Sequence, residues 1–145
     1  MEFITVEQFR EQPIEVQKVF LDWWECDYGD LYYYNEDPLE YKDFEIIDNN
    51  LECDIEGDFD YFKSLGVIPI FTEGQLRKFI EDKAKCKVMI EYTSCENIVV
   101  KICTQDEVTG ALRYNRKLTF PNNKFDLINS YWKVACMIAK EEVDG

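Results

Sequence analysis

Residues 25–65 hold fourteen acidic side chains against only Lys42 and Lys63, and they interleave nine aromatic residues among those acids. Carboxylates stay in water and aromatic rings leave it, so the segment must switch between surface and core over short distances. Disordered acidic tails are poor in aromatic residues. The composition therefore predicts a folded region that holds its carboxylates in place. The acidity is local: residues 1–24 carry five acids and two bases, and residues 66–145 carry eleven acids and twelve bases.

Several kinds of chemistry are excluded at the outset. The 145-residue chain has no histidine, so Ser–His and Cys–His nucleophile pairs, H-E-x-x-H sites and imidazole acid–base catalysis are unavailable to it. Its six glycines are scattered and form no phosphate-binding loop. Cys26, Cys53, Cys86, Cys95, Cys103 and Cys136 lie far apart without a C-x-x-C pair. They read as reduced, mostly buried thiols rather than zinc ligands. No cofactor or metal is expected, and neither is catalysis. The start, "MEFITVEQFREQ", lacks the basic and apolar regions of a signal peptide, which predicts a cytoplasmic protein.

The pattern predicts one α+β domain over 1–145, with an acidic half at 1–65 and an ordinary half at 66–145. "TVEQFREQPIEVQKVFLDWW" reads as a helix at about 5–24, capped by Thr5 with Gln8 and restarted at Pro13. "FTEGQLRKFIEDK" is a second helix, with a Thr72–Gln75 capping box and Leu76, Phe79 and Ile80 on one face. Three strands follow in "KVMIEYTS", "NIVVKICTQ" and "ALRYNRKLTF", with turns near Glu96–Asn97 and Thr109–Gly110. A last helix in "NNKFDLINSYWKVACMIAKEE" completes α-β-β-β-α around a three-stranded antiparallel meander. That order also occurs in double-stranded RNA-binding domains, but the basic cluster they carry on the last helix is reduced to Lys124.

Within the acidic half, "EYKDFEII" and "CDIEGDFDYF" alternate with period two about the turn "DNN" and predict a hairpin. Phe44, Ile46, Ile55, Phe59 and Tyr61 would then face inward. Asp43, Glu45, Asp54, Glu56, Asp58 and Asp60 would face water. The same stretch imitates a calcium loop, with acids at positions one, three, five and nine and glycine at six. The twelfth position, however, is Lys63 where an EF-hand needs a bidentate Glu, and the run before it reads as strand and turn.

"VQKVFLDWWE", "IPIFTEGQLRKFIEDK" and "SYWKVACMIAKEEV" resemble segments of small proteins carried by phages and prophages of Gram-positive bacteria. The middle segment in that group more often reads "PLLTEGQL", so Ile70 and Phe71 depart from it. The resemblance covers the first, middle and last helices and brings no known active site. It implies a phage origin and a life in the bacterial cytoplasm. Phages encode small inhibitors of host nuclease defence, anti-CRISPR proteins among them.

These features predict an inhibitor that binds a basic host protein and occludes its nucleic-acid channel. Alternate strand residues stand about 6.6–6.8 Å apart, close to every second phosphate at about 3.4 Å per nucleotide. Asp43, Glu45, Asp54, Glu56, Asp58 and Asp60 are the expected contact row, with Tyr32, Tyr33 and Tyr34 as desolvated anchors. Such a surface touches neither nucleic acid nor membrane directly, because the net charge of −14 repels both. Two alternatives stand beside it. One is a solvated acidic interaction surface without mimicry. The other is a sponge for a small anionic nucleotide, lined by Arg77, Lys78, Lys85, Lys87, Arg113, Arg116 and Lys117.

Overall fold

The first helical segment is divided by its proline. Thr5 caps helix α1 (Val6–Arg10) with a complete capping box: Thr5 Oγ1 accepts from the Gln8 N–H at 3.1 Å, and Gln8 Oε1 accepts from the Thr5 N–H at 2.9 Å. Helix α2 (Ile14–Trp23) starts after Pro13, which sits at its N-cap. The ring removes a backbone donor and disfavours helix at the residue before it, so the turn cannot run through. The Gln17 side chain covers the break by donating to the Gln12 carbonyl at 2.8 Å. This computed structural model describes residues 2–34, 44–48, 58–93, 96–121 and 126–145.

Two compact units are present, Phe3–Phe71 and Thr72–Gly145 (with Met1–Glu2). The junction lies beyond the division expected at residue 65. The reason is that Ile68–Pro69 pairs back into the acidic unit as a strand.

In the Phe3–Phe71 unit, β1 (Leu31–Tyr33) lies between β2 (Glu45–Ile46) and β3 (Ile68–Pro69), antiparallel to both. Pro69, which has no N–H for a ladder, sits on an edge strand as it must. The core is largely aromatic. Phe71 lies 5.8 Å from Phe20 and 5.9 Å from Trp23, and Tyr32 meets Phe62 edge-on at 4.9 Å.

Over its described residues the predicted hairpin gives way to a helix and to a strand paired elsewhere. Phe59–Ser64 is helix α3, with Asp58 as its N-cap accepting from the Tyr61 N–H at 2.9 Å. Alternating acids imitate a strand here, but a good cap and the i, i+3 pair Phe59–Phe62 favour a helical turn. Phe62 is the buried member, and Tyr61 points outward at 54% exposure instead of inward. Ile46 is likewise exposed, while Phe44 packs on Phe3 at 5.1 Å. Strand β2 pairs with β1. Ile55 lies outside the described residues.

The second unit follows the predicted order α4 (Glu73–Ala84), β4 (Lys87–Tyr92), β5 (Asn97–Gln105), β6 (Leu112–Pro121) and α5 (Leu127–Asp144). The sheet is an antiparallel meander with β5 in the centre. Ile98, Val99, Val100, Ile102 and Cys103 of β5 are buried. Leu76, Phe79 and Ile80 of α4 and Ile128, Tyr131, Ala135 and Ile138 of α5 are buried as well. Thr72 and Gln75 complete the expected capping box. Glu96 and Gly110 take the positive φ their tight turns require. Among the described residues, no helix is long and apolar enough to cross a membrane.

Candidate partner-binding surface

Net charge separates along the boundary between the units. Phe3–Phe71 contains eighteen acids and four bases, whereas the rest of the chain contains twelve of each. At least fourteen carboxylates of the acidic unit thus have no cation of their own within it. Two of its four bases also serve the fold. Lys63 Nζ donates to the Leu21 and Trp24 carbonyls at 2.8 and 2.9 Å, and the Arg10 guanidinium lies 5.2 Å from the centre of the Tyr33 ring.

Half of the predicted contact row falls within the described residues. Asp43, Asp54 and Glu56 lie outside the described residues. Glu45 is half-buried, and its Oε2 accepts from the Tyr32 hydroxyl at 2.7 Å across the β1–β2 pair. Tyr32 is only 5% exposed, so it is a core residue and not a partner anchor. Its ring was expected outside because a tyrosine triplet carries no signal of face, and the edge-on contact with Phe62 draws it in. Tyr33 and Tyr34 are half-buried. Asp58 and Asp60 are both exposed, but on a helix they are two positions apart and point to different sides. The regular spacing expected of a strand does not hold for them.

A different arrangement appears around Cys26, built from "WECDYGD" (residues 24–30) and α3. Asp30 Oδ2 accepts from the Trp24 indole N–H at 2.9 Å and from the Asp27 backbone N–H at 3.1 Å. Gly29, at φ +88°, turns the chain so that its N–H reaches the Ile47 carbonyl at 2.9 Å. Burial pushes the Asp30 carboxyl above the usual range, opposed by those two hydrogen bonds. The Cys26 thiol is pushed up to about 12, first by burial, with Lys63 acting against it and Asp30 and Asp60 adding to it. Asp30 and Asp60 therefore both act on one point, although thirty positions separate them.

On the turn Glu25, Asp27 and Tyr28 are exposed, and at α3 Asp58, Asp60 and Tyr61 are. Carboxylates and tyrosines thus reach water together on the turn and on α3. The sequence pattern ends the first helix at about residue 24 and assigns no element to this turn. The available signal was the tryptophan-to-aspartate spacing around a glycine, a turn that hydrogen-bonds its own side chains.

Burial raises the Cys103 thiol and holds Cys136 up at about 12, so with Cys26 these thiols stay protonated at neutral pH. Among the described residues, no three Cys, Asp or Glu side chains are grouped to hold a metal ion.

Asp58 separates a structural role from an electrostatic one. Asp58→Ala removes the cap of α3 and is expected to cost about 1 kcal/mol, whereas Asp58→Asn keeps the cap and stays within a few tenths. Urea unfolding of the two variants measures the difference. No protein family, curated protein or solved structure matches this chain.

Proposed function

We propose that the Phe3–Phe71 unit binds a basic surface on a host protein, the nucleic-acid channel of a defence nuclease complex such as CRISPR-Cas. In this reading the chain is a phage-encoded inhibitor that acts by occlusion and performs no catalysis. The observation that carries it is the confinement of the whole charge excess to one unit, eighteen acids against four bases. Self-repulsion of that size disfavours the compact state, and a basic partner relieves it. Exposed Tyr28 and Tyr61 supply the rigid aromatic contact area that interfaces favour.

The mimicry differs from an evenly spaced strand. The exposed carboxylates Asp27, Asp58 and Asp60 come from a turn and a short helix. They present a patch of negative potential, which suits fast, salt-sensitive association with a Lys- and Arg-lined channel.

The test is capture of host proteins by the purified chain, against an Asp27→Asn/Asp58→Asn/Asp60→Asn variant that keeps the helix cap. A nucleic-acid-binding nuclease should be retained at about 0.01 M ionic strength and released near 1 M, as the screening length falls from about 30 to about 3 Å. Added duplex DNA should displace it, and the variant should retain at least about tenfold less. Equal retention by both proteins, or retention indifferent to salt, would return these carboxylates to a solvated face.

A further inference from the structure

A cleft of about 530 Å³ in the Thr72–Gly145 unit lies where α4 and α5 meet β5 and β6. Its volume falls in the range of about 300–1,000 Å³ usual for small-ligand sites. Ile102 and Ile138 contribute apolar lining. Lys83 Nζ contacts both oxygens of Glu142, at 2.9 and 3.1 Å, and Arg116 pairs with Glu141. Both pairs join elements far apart in the chain, so the fold sets them and not local helix geometry.

Strand β6 is irregular at this place. Ile102 lies opposite Arg116 and Cys103 opposite Tyr114, which leaves Asn115 as the extra residue of a bulge. On a regular strand Asn115 and Arg116 would point to opposite faces. With the bulge both line the cleft. Bulges that re-aim a side chain recur beside functional sites. The Asn115 amide is weakly held: its nitrogen donates to Cys86 Sγ at 3.5 Å, and its oxygen accepts from Thr104 Oγ1 at 3.5 Å, beyond the usual span for a hydroxyl donor.

The lining decides the kind of ligand. Two cations and two carboxylates face one cleft, so its charged walls balance. A nucleotide anion would meet Glu141 and Glu142 and the field of a chain with net charge −14. A bare cation would meet Lys83 and Arg116. A molecule carrying both charges fits both walls, its carboxylate on the Arg116 fork and its ammonium on Glu141 or Glu142.

We propose that this cleft binds a small zwitterion, a free amino acid or short peptide whose apolar side chain lies over Ile102 and Ile138. The proposal stands apart from the function proposed for the acidic unit, and its test does not depend on that function.

The full chain, labelled with ¹⁵N, is titrated with L-leucine and with glycyl-L-leucine, which separate a free amino acid from a peptide. The Arg116 Nε–H and Asn115 side-chain amide signals should shift saturably with at least one of them. Arg116→Met, a change at an exposed position, should weaken binding at least about tenfold. N-acetylglycyl-leucine, without the ammonium, and glycyl-leucinamide, without the carboxylate, should each bind at least about tenfold more weakly than glycyl-L-leucine. No shift at these two groups by about 10 mM would overturn the proposal. So would binding unchanged in Arg116→Met, or blocked peptides binding as well as the free one.

Discussion

Phe71→Ala should lower the stability of the acidic unit by about 3–5 kcal/mol, the range for truncating a buried phenylalanine. Phe71 is 1% exposed and touches three other aromatic residues, with ring centres at 5.8 Å (Phe20), 5.9 Å (Trp23) and 6.5 Å (Trp24). Flat rings cannot collapse into the space left without losing their edge-on contacts, so the cavity persists and adds to the lost transfer energy. A loss of that size is a large share of the roughly 5–15 kcal/mol that holds a domain together. Urea unfolding followed by tryptophan fluorescence reports it directly, because two of the neighbours are tryptophans. A loss below about 1 kcal/mol would mean that Phe71 is not the centre of this core.

The second large effect comes from a cation. Lys63→Met keeps the alkyl stem but removes the ammonium that bonds the Leu21 and Trp24 carbonyls at the end of α2. Those carbonyls lie at the negative end of a helix, so the loss combines two charge-assisted hydrogen bonds with a dipole interaction. The expected cost is about 1.5–3 kcal/mol. Lys18→Met is the control, since it removes the same charge from the same unit at an exposed position. It should stay within about 0.5 kcal/mol. Equal losses in the two variants would assign the effect to net charge rather than to the bonds of Lys63.

These residues also show what local pattern can convey. Capping boxes are complete within four residues, and so Thr5–Gln8 and Thr72–Gln75 are legible in the sequence. The meander was legible because β4, β5 and β6 are long enough to show their apolar runs between turn residues. The small sheet was not. Strands of two and three residues exist only because distant segments pair, Leu31 with Ile46 and Tyr33 with Ile68. Helix α3 was hidden for another reason: Asp58 and Asp60 alternate like a strand, and only the capping bond to the Tyr61 N–H marks Asp58 as a helix start.

The candidate surface was legible as a region and not as a geometry. Composition located the charge excess before residue 66, and the excess does lie in the acidic unit. The convergence of Asp30 and Asp60 on Cys26 depends on where α3 packs, which no local spacing encodes. Burial of Tyr32 depends on Phe62 in the same way. In the second unit, the bulge at Asn115 has no sequence signal at all, since no glycine marks it.

The most direct measurement is competition between the chain and duplex DNA for a nuclease that it captures, with affinity followed against salt. Binding should be mutually exclusive, its affinity should fall steeply as salt rises, and Asp27→Asn/Asp58→Asn/Asp60→Asn should lose at least about tenfold. Simultaneous binding of DNA and the chain, or an affinity that neither salt nor the triple variant changes, would contradict occlusion of the channel.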